Sequence, residues 1–216
     1  MARIERVARR GRGSGSSGRP TTRPNERPAA RDNDSIHKGL DMMSDSSAKL
    51  RLLAVLSDAQ PPDNPIVVNG WAGIAFDRNR YADLAPTDVW DAWLDVHIRN
   101  SCPSDAIGIA SLEDLAVGKE ECRVEPSLDS LRRYWMEGER FLRDHYVFSL
   151  SFNWVVRLDQ DVTLFAAERD FMREVIDRLH GLNSVMERMT EDFDPGERDL
   201  VGLRRFLSDI TEELRR

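Results

Sequence analysis

Apolar and polar residues alternate most regularly in the run FSLSFNWVVRLD, residues 148–159. Phe148, Leu150, Phe152, Trp154, Val156 and Leu158 take every second position, and this period of two predicts one long half-buried strand over 147–158. Phe148, Phe152 and Trp154 are expected on its buried face, and Ser149, Ser151 and Asn153 on the other. Asp159-Gln160-Asp161 can then turn the chain. Val162-Thr163-Leu164-Phe165, partly β-branched, is read as the returning hairpin strand in preference to a helix capped at Asp161.

From about Ala167 the period changes. Met172, Val175, Leu179, Leu182, Met186, Met189 and Phe193 follow steps of four and three, which predicts one helix of roughly 25 residues. Asp194-Pro195-Gly196 interrupts it, and Leu200, Leu203, Phe206, Leu207, Ile210 and Leu214 mark a final helix. The short break suggests a C-terminal helical hairpin over 167–215.

Earlier elements are shorter. Leu50, Leu53, Ala54 and Leu56 outline an amphipathic helix after Ser47, and residues 65–76 read as a strand containing Gly70 and Gly73. Thr87 is placed to cap a helix through about Arg99, with Val89, Trp93, Val96 and His97 on one face. Residues 106–111 form a short strand, Ser111 caps one or two helical turns ending before Gly118, and a turn-rich patch carries Cys122. Ser127 opens a helix bearing Leu128, Leu131, Trp135, Phe141 and Leu142, with Gly138 its weak point. The fold class expected is α+β: a small, mostly antiparallel sheet with helices packed on it and the C-terminal helical hairpin. No internal repeat emerges from the hydrophobic pattern.

Composition changes this picture at one end. Residues 1–31 hold nine arginines, no lysine and two acids, so the remainder carries −14 of a chain whose net charge is −7. With almost no large apolar side chain after Val7, residues 1–46 are expected to be a disordered Arg/Gly/Pro-rich tail ahead of one acidic domain, 47–216. Met42 and Met43 stand where the composition turns globular, and either would serve as a start codon. The tail's G-x-G-x-x-G match at Gly13, Gly15 and Gly18 lacks the strand and helix a dinucleotide site requires. Arginines there can contact phosphates weakly, whereas the acidic body repels nucleic acid. No run approaches the roughly 18 apolar residues of a membrane helix. The beginning of the chain has no signal-peptide pattern, and two cysteines, Cys102 and Cys122, point to a reducing, cytoplasmic compartment.

Catalytic spacing is missing. His37, His97, His145 and His180 form no metal-binding pair, no G-x-S-x-G elbow or phosphate loop occurs, and neither cysteine has the cationic surroundings a thiolate needs. No cofactor or metal is expected. The reading this favours is a non-catalytic protein-interaction component, of regulatory, immunity-type or assembly role, acting on another protein through Trp90, Phe206, Ile210 and Leu214. The alternative is an enzyme whose site gathers carboxylates around His97 or His145 in three dimensions.

Overall fold

The computed structural model describes residues 47–101, 106–193 and 200–216. The arginine-rich tail, Cys102 and the Asp194-Pro195-Gly196 break lie outside the described residues. The chain runs α1 (Ser47–Val55), β1 (Trp71–Asp77), α2 (Thr87–Asn100), β2 (Ile107–Ser111), α3 (Leu112–Ala116), β3 (Cys122–Val124), α4 (Leu128–Met136), β4 (His145–Ser149), β5 (Trp154–Leu158), β6 (Val162–Glu168), α5 (Arg169–Arg178), α6 (Leu182–Asp192), α7 (Leu200–Ile210) and α8 (Glu212–Arg215). It is an α+β fold. The strands form one six-stranded sheet in the order β1-β6-β5-β4-β2-β3, antiparallel throughout.

Cross-strand register sorts side chains into two buried faces. On one, Val147, Trp154, Val156 and Phe165 meet Trp90 and Trp93 of α2, with Trp93 edge-on to Trp154 at 5.8 Å and to Phe165 at 5.1 Å. Such contacts suit the ring quadrupoles and add to the burial of apolar area. Gly73, Phe148, Val155 and Arg157 lie on the other, beneath α1 and the segment that follows it. A Cβ on Gly108 would sit 2.5 Å from Cε2 of Phe148. That ring is in turn stacked 4.8 Å from Phe152, over which Arg51 lies.

The expected 147–158 strand is therefore two strands. Asn153 donates its backbone N–H to Ser149 Oγ (3.1 Å), Phe152 adopts φ +58°, and the polar positions of the alternating run form the turn between β4 and β5. Because Phe148 pairs with Val155, it faces away from Trp154 instead of sharing its side, and Ser149 is buried. The returning strand at 162–168 is present, one residue beyond a turn at Asp159–Asp161.

The 25-residue helix is also two, α5 and α6. The Gly181 N–H donates to Ile176 O at 2.9 Å across His180, which takes the left-handed conformation at φ +70°, a helix stop that the seven-residue seam does not reveal. Its apolar stripe still points inward at Met172, Val175, Leu179 and Met189. In α1 the inward residue is Leu52; of the four residues expected on its core face, Leu56, just past the helix, is buried, whereas Ala54 is exposed and Leu50 and Leu53 are 60% and 44% exposed. Phe141 and Leu142 fall beyond α4, in 3-10 turns entered at Gly138, and are exposed. Pro86 precedes α2 and Thr87 stands inside it, its hydroxyl donating to Asp83 rather than capping.

Strand β1 is an edge, and α5 to α8 pack along it. Its outward Asp77 N–H donates to the buried Asp192 Oδ2 at 2.6 Å, and its Ala75 N–H points at the Met189 sulfur at 3.1 Å. Tyr81 donates its hydroxyl to the same carboxylate. Burial and that carboxylate push the Tyr81 pKa up to about 12.

Trp154→Ala should cost about 3–5 kcal/mol in denaturant unfolding, as truncation of a fully buried aromatic. Gly108→Ala should cost about 1–3 kcal/mol, because the clamped Phe148 ring has little room to yield. Leu50→Ala should stay within about 0.5 kcal/mol.

Candidate functional site

A cleft of about 520 Å³ opens at the end of the sheet where β5 turns into β6. One lip is Gln60-Pro61-Pro62, the back is Asp144 with Asp159, Gln160 and Asp161, and the opposite wall is Phe193 with Gly202, Leu203 and Phe206 of α7. Val162, Phe193, Leu203 and Phe206 give it an apolar floor, so an acidic rim stands above hydrocarbon.

Two buried arginines build the rim. Arg157 sits at an inward position of β5, and its Nε and Nη2 donate to Asp159 Oδ2 at 3.1 and 2.7 Å. Its remaining donors hold Ser57 O and Ala59 O, both at 3.0 Å, which fastens the segment leading to the Gln60 lip. The second oxygen of Asp159 accepts from Val162 N at 3.0 Å. Asp159 is thus committed to structure.

Arg78 is only 6% exposed, yet it meets Asp144 through one bond, Nη1 to Oδ1 at 3.2 Å. Its other bonds go to carbonyls: Asp159 O at 2.6 Å, Phe141 O at 2.5 Å and Arg143 O at 2.8 Å. Asp144 is 34% exposed, and burial raises its pKa above the ordinary 3.8, partly offset by Arg78 and reinforced by the Asp159 charge. The carboxylate is short of compensating positive charge. Asp161 is exposed and accepts only a long 3.4 Å bond from Asn79 Nδ2 to its Oδ1. Asp144 shares one bond with a guanidinium and the Asp161 carboxylate meets neither arginine, so these two hold the spare capacity for a cation.

The structure separates the residues that the sequence singled out. Trp90 is buried under the sheet, its Nε1 donating to Asp83 O at 3.0 Å, so it offers no surface to a partner. Ile210 is likewise core, and Leu214 is half-buried at the far end of the C-terminal helices. Phe206 is almost fully covered and is one of the residues lining the cleft.

His97 Nδ1 accepts from Trp154 Nε1 (3.2 Å) and lies 3.1 Å from Ser101 Oγ, on the buried face of α2. His145 follows Asp144 in sequence, but its ring turns into the core, edge-on to Tyr134 at 5.6 Å, and does not line the cleft. Burial lowers its pKa and keeps the imidazole neutral. Among the described residues, no group of three or more His, Cys, Asp or Glu could hold a metal ion. No described helix is long and apolar enough to cross a membrane.

Asp144, Arg78 and Arg157 were not visible as a site. Arg157 at an inward strand position, beside the Asp-Gln-Asp turn, is the signal that could have found it, since a buried guanidinium demands acceptors from elsewhere in the fold.

Arg157→Met should cost about 3–5 kcal/mol, because it leaves Asp159 Oδ2 and two carbonyls without their donors, and should raise amide exchange in residues 57–60. Folding favours protonated Asp144, so its contribution is complete below pH 3.8 and is lost as pH rises through the raised pKa. The Asp144 carboxyl carbon should accordingly titrate above 3.8 by NMR, and Asp144→Asn should remove that loss of stability. No family model matches the chain, no curated protein matches it in sequence, and no solved structure matches it in fold.

Proposed function

We propose that the protein is a non-catalytic interaction component that takes an extended basic segment of a partner polypeptide into the cleft between the β5–β6 turn and α7. The observation that carries this reading is the pair of undercompensated carboxylates, Asp144 and Asp161, set above an apolar floor of Phe193, Leu203 and Phe206.

An arginine or lysine suits both halves of that surface. Its hydrocarbon stem lies along the floor while the charged head meets the carboxylates, and arginine's planar fork can engage a carboxylate through two bonds. The excess of acids over the rest of the molecule, −14 outside residues 1–31, steers cationic partners inward and repels phosphate backbones. Asp144 rewards the incoming cation only when deprotonated. Affinity therefore rises with pH through the raised Asp144 pKa.

Fluorescence anisotropy with labelled ten-residue peptides tests this. Basic peptides containing proline or small apolar residues should bind the full chain, weaken steeply between 50 and 300 mM salt, and lose about tenfold in affinity, about 1.4 kcal/mol, with Asp161→Asn. Equal binding of acidic counterparts, or affinity indifferent to salt and to Asp161→Asn, would overturn the reading.

A further inference from the structure

The arginine-rich segment contains an order that its hydrophobic pattern conceals. Residues 19–31 read RPTT-RPNE-RPAA-R, placing Arg19, Arg23, Arg27 and Arg31 at a spacing of four, with proline after each of the first three. Proline fixes its own φ and disfavours helix in the residue before it, so an Arg-Pro unit meets a surface already extended. This is the chemistry the cleft accommodates: a guanidinium for Asp144 or Asp161, and a proline ring for the apolar surface that Leu203 and Pro62 leave open beside the buried Phe193 and Phe206.

Position in the chain makes the encounter intramolecular. Segment 57–59, held by Arg157, runs directly into the Gln60 lip, and α1 ends just before it. A nine-residue helix adds about 13 Å and the five residues from Val55 to Gln60 at most about 17 Å, so Ser47 stands within roughly 30 Å of the lip. The 15 residues between Arg31 and Ser47 reach up to about 50 Å when extended. Tethering over such a span supplies an effective concentration near the millimolar range, enough to fill the cleft at modest intrinsic affinity.

We infer that the Arg-Pro repeat of residues 19–31 occupies the chain's own acidic cleft and competes there with the basic segment of a partner. The inference rests on the cleft taking basic extended segments. Three equivalent Arg-Pro units exchange at one site, since in an extended proline-rich chain successive arginines lie about 12 Å apart and the cleft holds one unit at a time. A partner must therefore displace the repeat, and the segment sets a threshold for capture.

The test uses the full chain and a labelled free peptide, RPTTRPNERPAAR. A variant with Arg19→Gln, Arg23→Gln, Arg27→Gln and Arg31→Gln should bind that peptide at least tenfold more tightly than wild type. Arg3→Gln, Arg6→Gln, Arg9→Gln and Arg10→Gln make the same change in charge and should alter affinity less than twofold. In an Asp144→Asn/Asp161→Asn background the first set should lose its effect. Equal affinity of wild type and the first variant would overturn the inference and leave the proposed function standing, whereas no binding by either would overturn both. Equal gains from the two arginine sets would reduce the effect to general charge and overturn it. Wild-type dimers in sedimentation that dissociate in the first variant would place the repeat in a second copy's cleft, which contradicts occupation of its own.

Discussion

A strand at the edge of a sheet carries N–H groups that must find acceptors once helices bury them, and this requirement organises the whole C-terminal half of the molecule. Strand β1 is such an edge. The Asp192 carboxylate meets the requirement at Asp77, takes the Tyr81 hydroxyl as well, and thereby ends α6 against the sheet. A buried carboxylate held by a backbone N–H and a phenol, with the Arg80 guanidinium 3.8 Å away, is costly to disturb, because each group left unpaired away from water loses its full solvation. Phe193 is the next residue in the chain. Its place in the cleft wall follows from where Asp192 is held.

The opposite wall arises from the same kind of necessity. Arg78 leaves β1 and Arg157 points inward from β5, and each buried guanidinium has to be surrounded by oxygen. Arg157 draws in Asp159 and the carbonyls of residues 57 and 59, while Arg78 draws in three carbonyls and a single oxygen of Asp144. Carbonyls neutralise no charge, yet they take three of the four bonds made by the Nη atoms of Arg78 and leave Asp144 partly uncompensated. The acidic character of the cleft is thus a by-product of how two arginines are satisfied, and it supplies a basic segment with its partner.

Much of the architecture was legible in the chain's periodicity, since α2, β2 and the return strand β6 form where apolar spacing places them. The failures have definite physical causes. Alternation of apolar and polar residues over 148–158 is as compatible with two strands joined by a Ser149–Asn153 turn as with one strand, and inserting the turn moves Phe148 to the face opposite Trp154. The α5–α6 stripe continues across a helix stop whose left-handed residue is His180, so neither the seam nor the residue type marks the break. Trp90 was read as a candidate surface residue because it lies off the Trp93 face, but α2 is covered on more than one side and Trp90 rests against Trp135 and Phe165. The cleft could not be read at all, since Gln60, Asp144, Asp161 and Phe206 meet only after the sheet has formed.

Native-state hydrogen exchange at the β1 edge tests the central claim, that one carboxylate fastens the C-terminal helices to the sheet and so builds the cleft wall. In the wild-type chain the Asp77 amide should exchange as slowly as the β6 amides beside it. In Asp192→Ala it should become fast, together with amides of α7, while β4 and β5 keep their protection. Rapid exchange of Asp77 in the wild type, or protection that survives the loss of Asp192, would contradict the account.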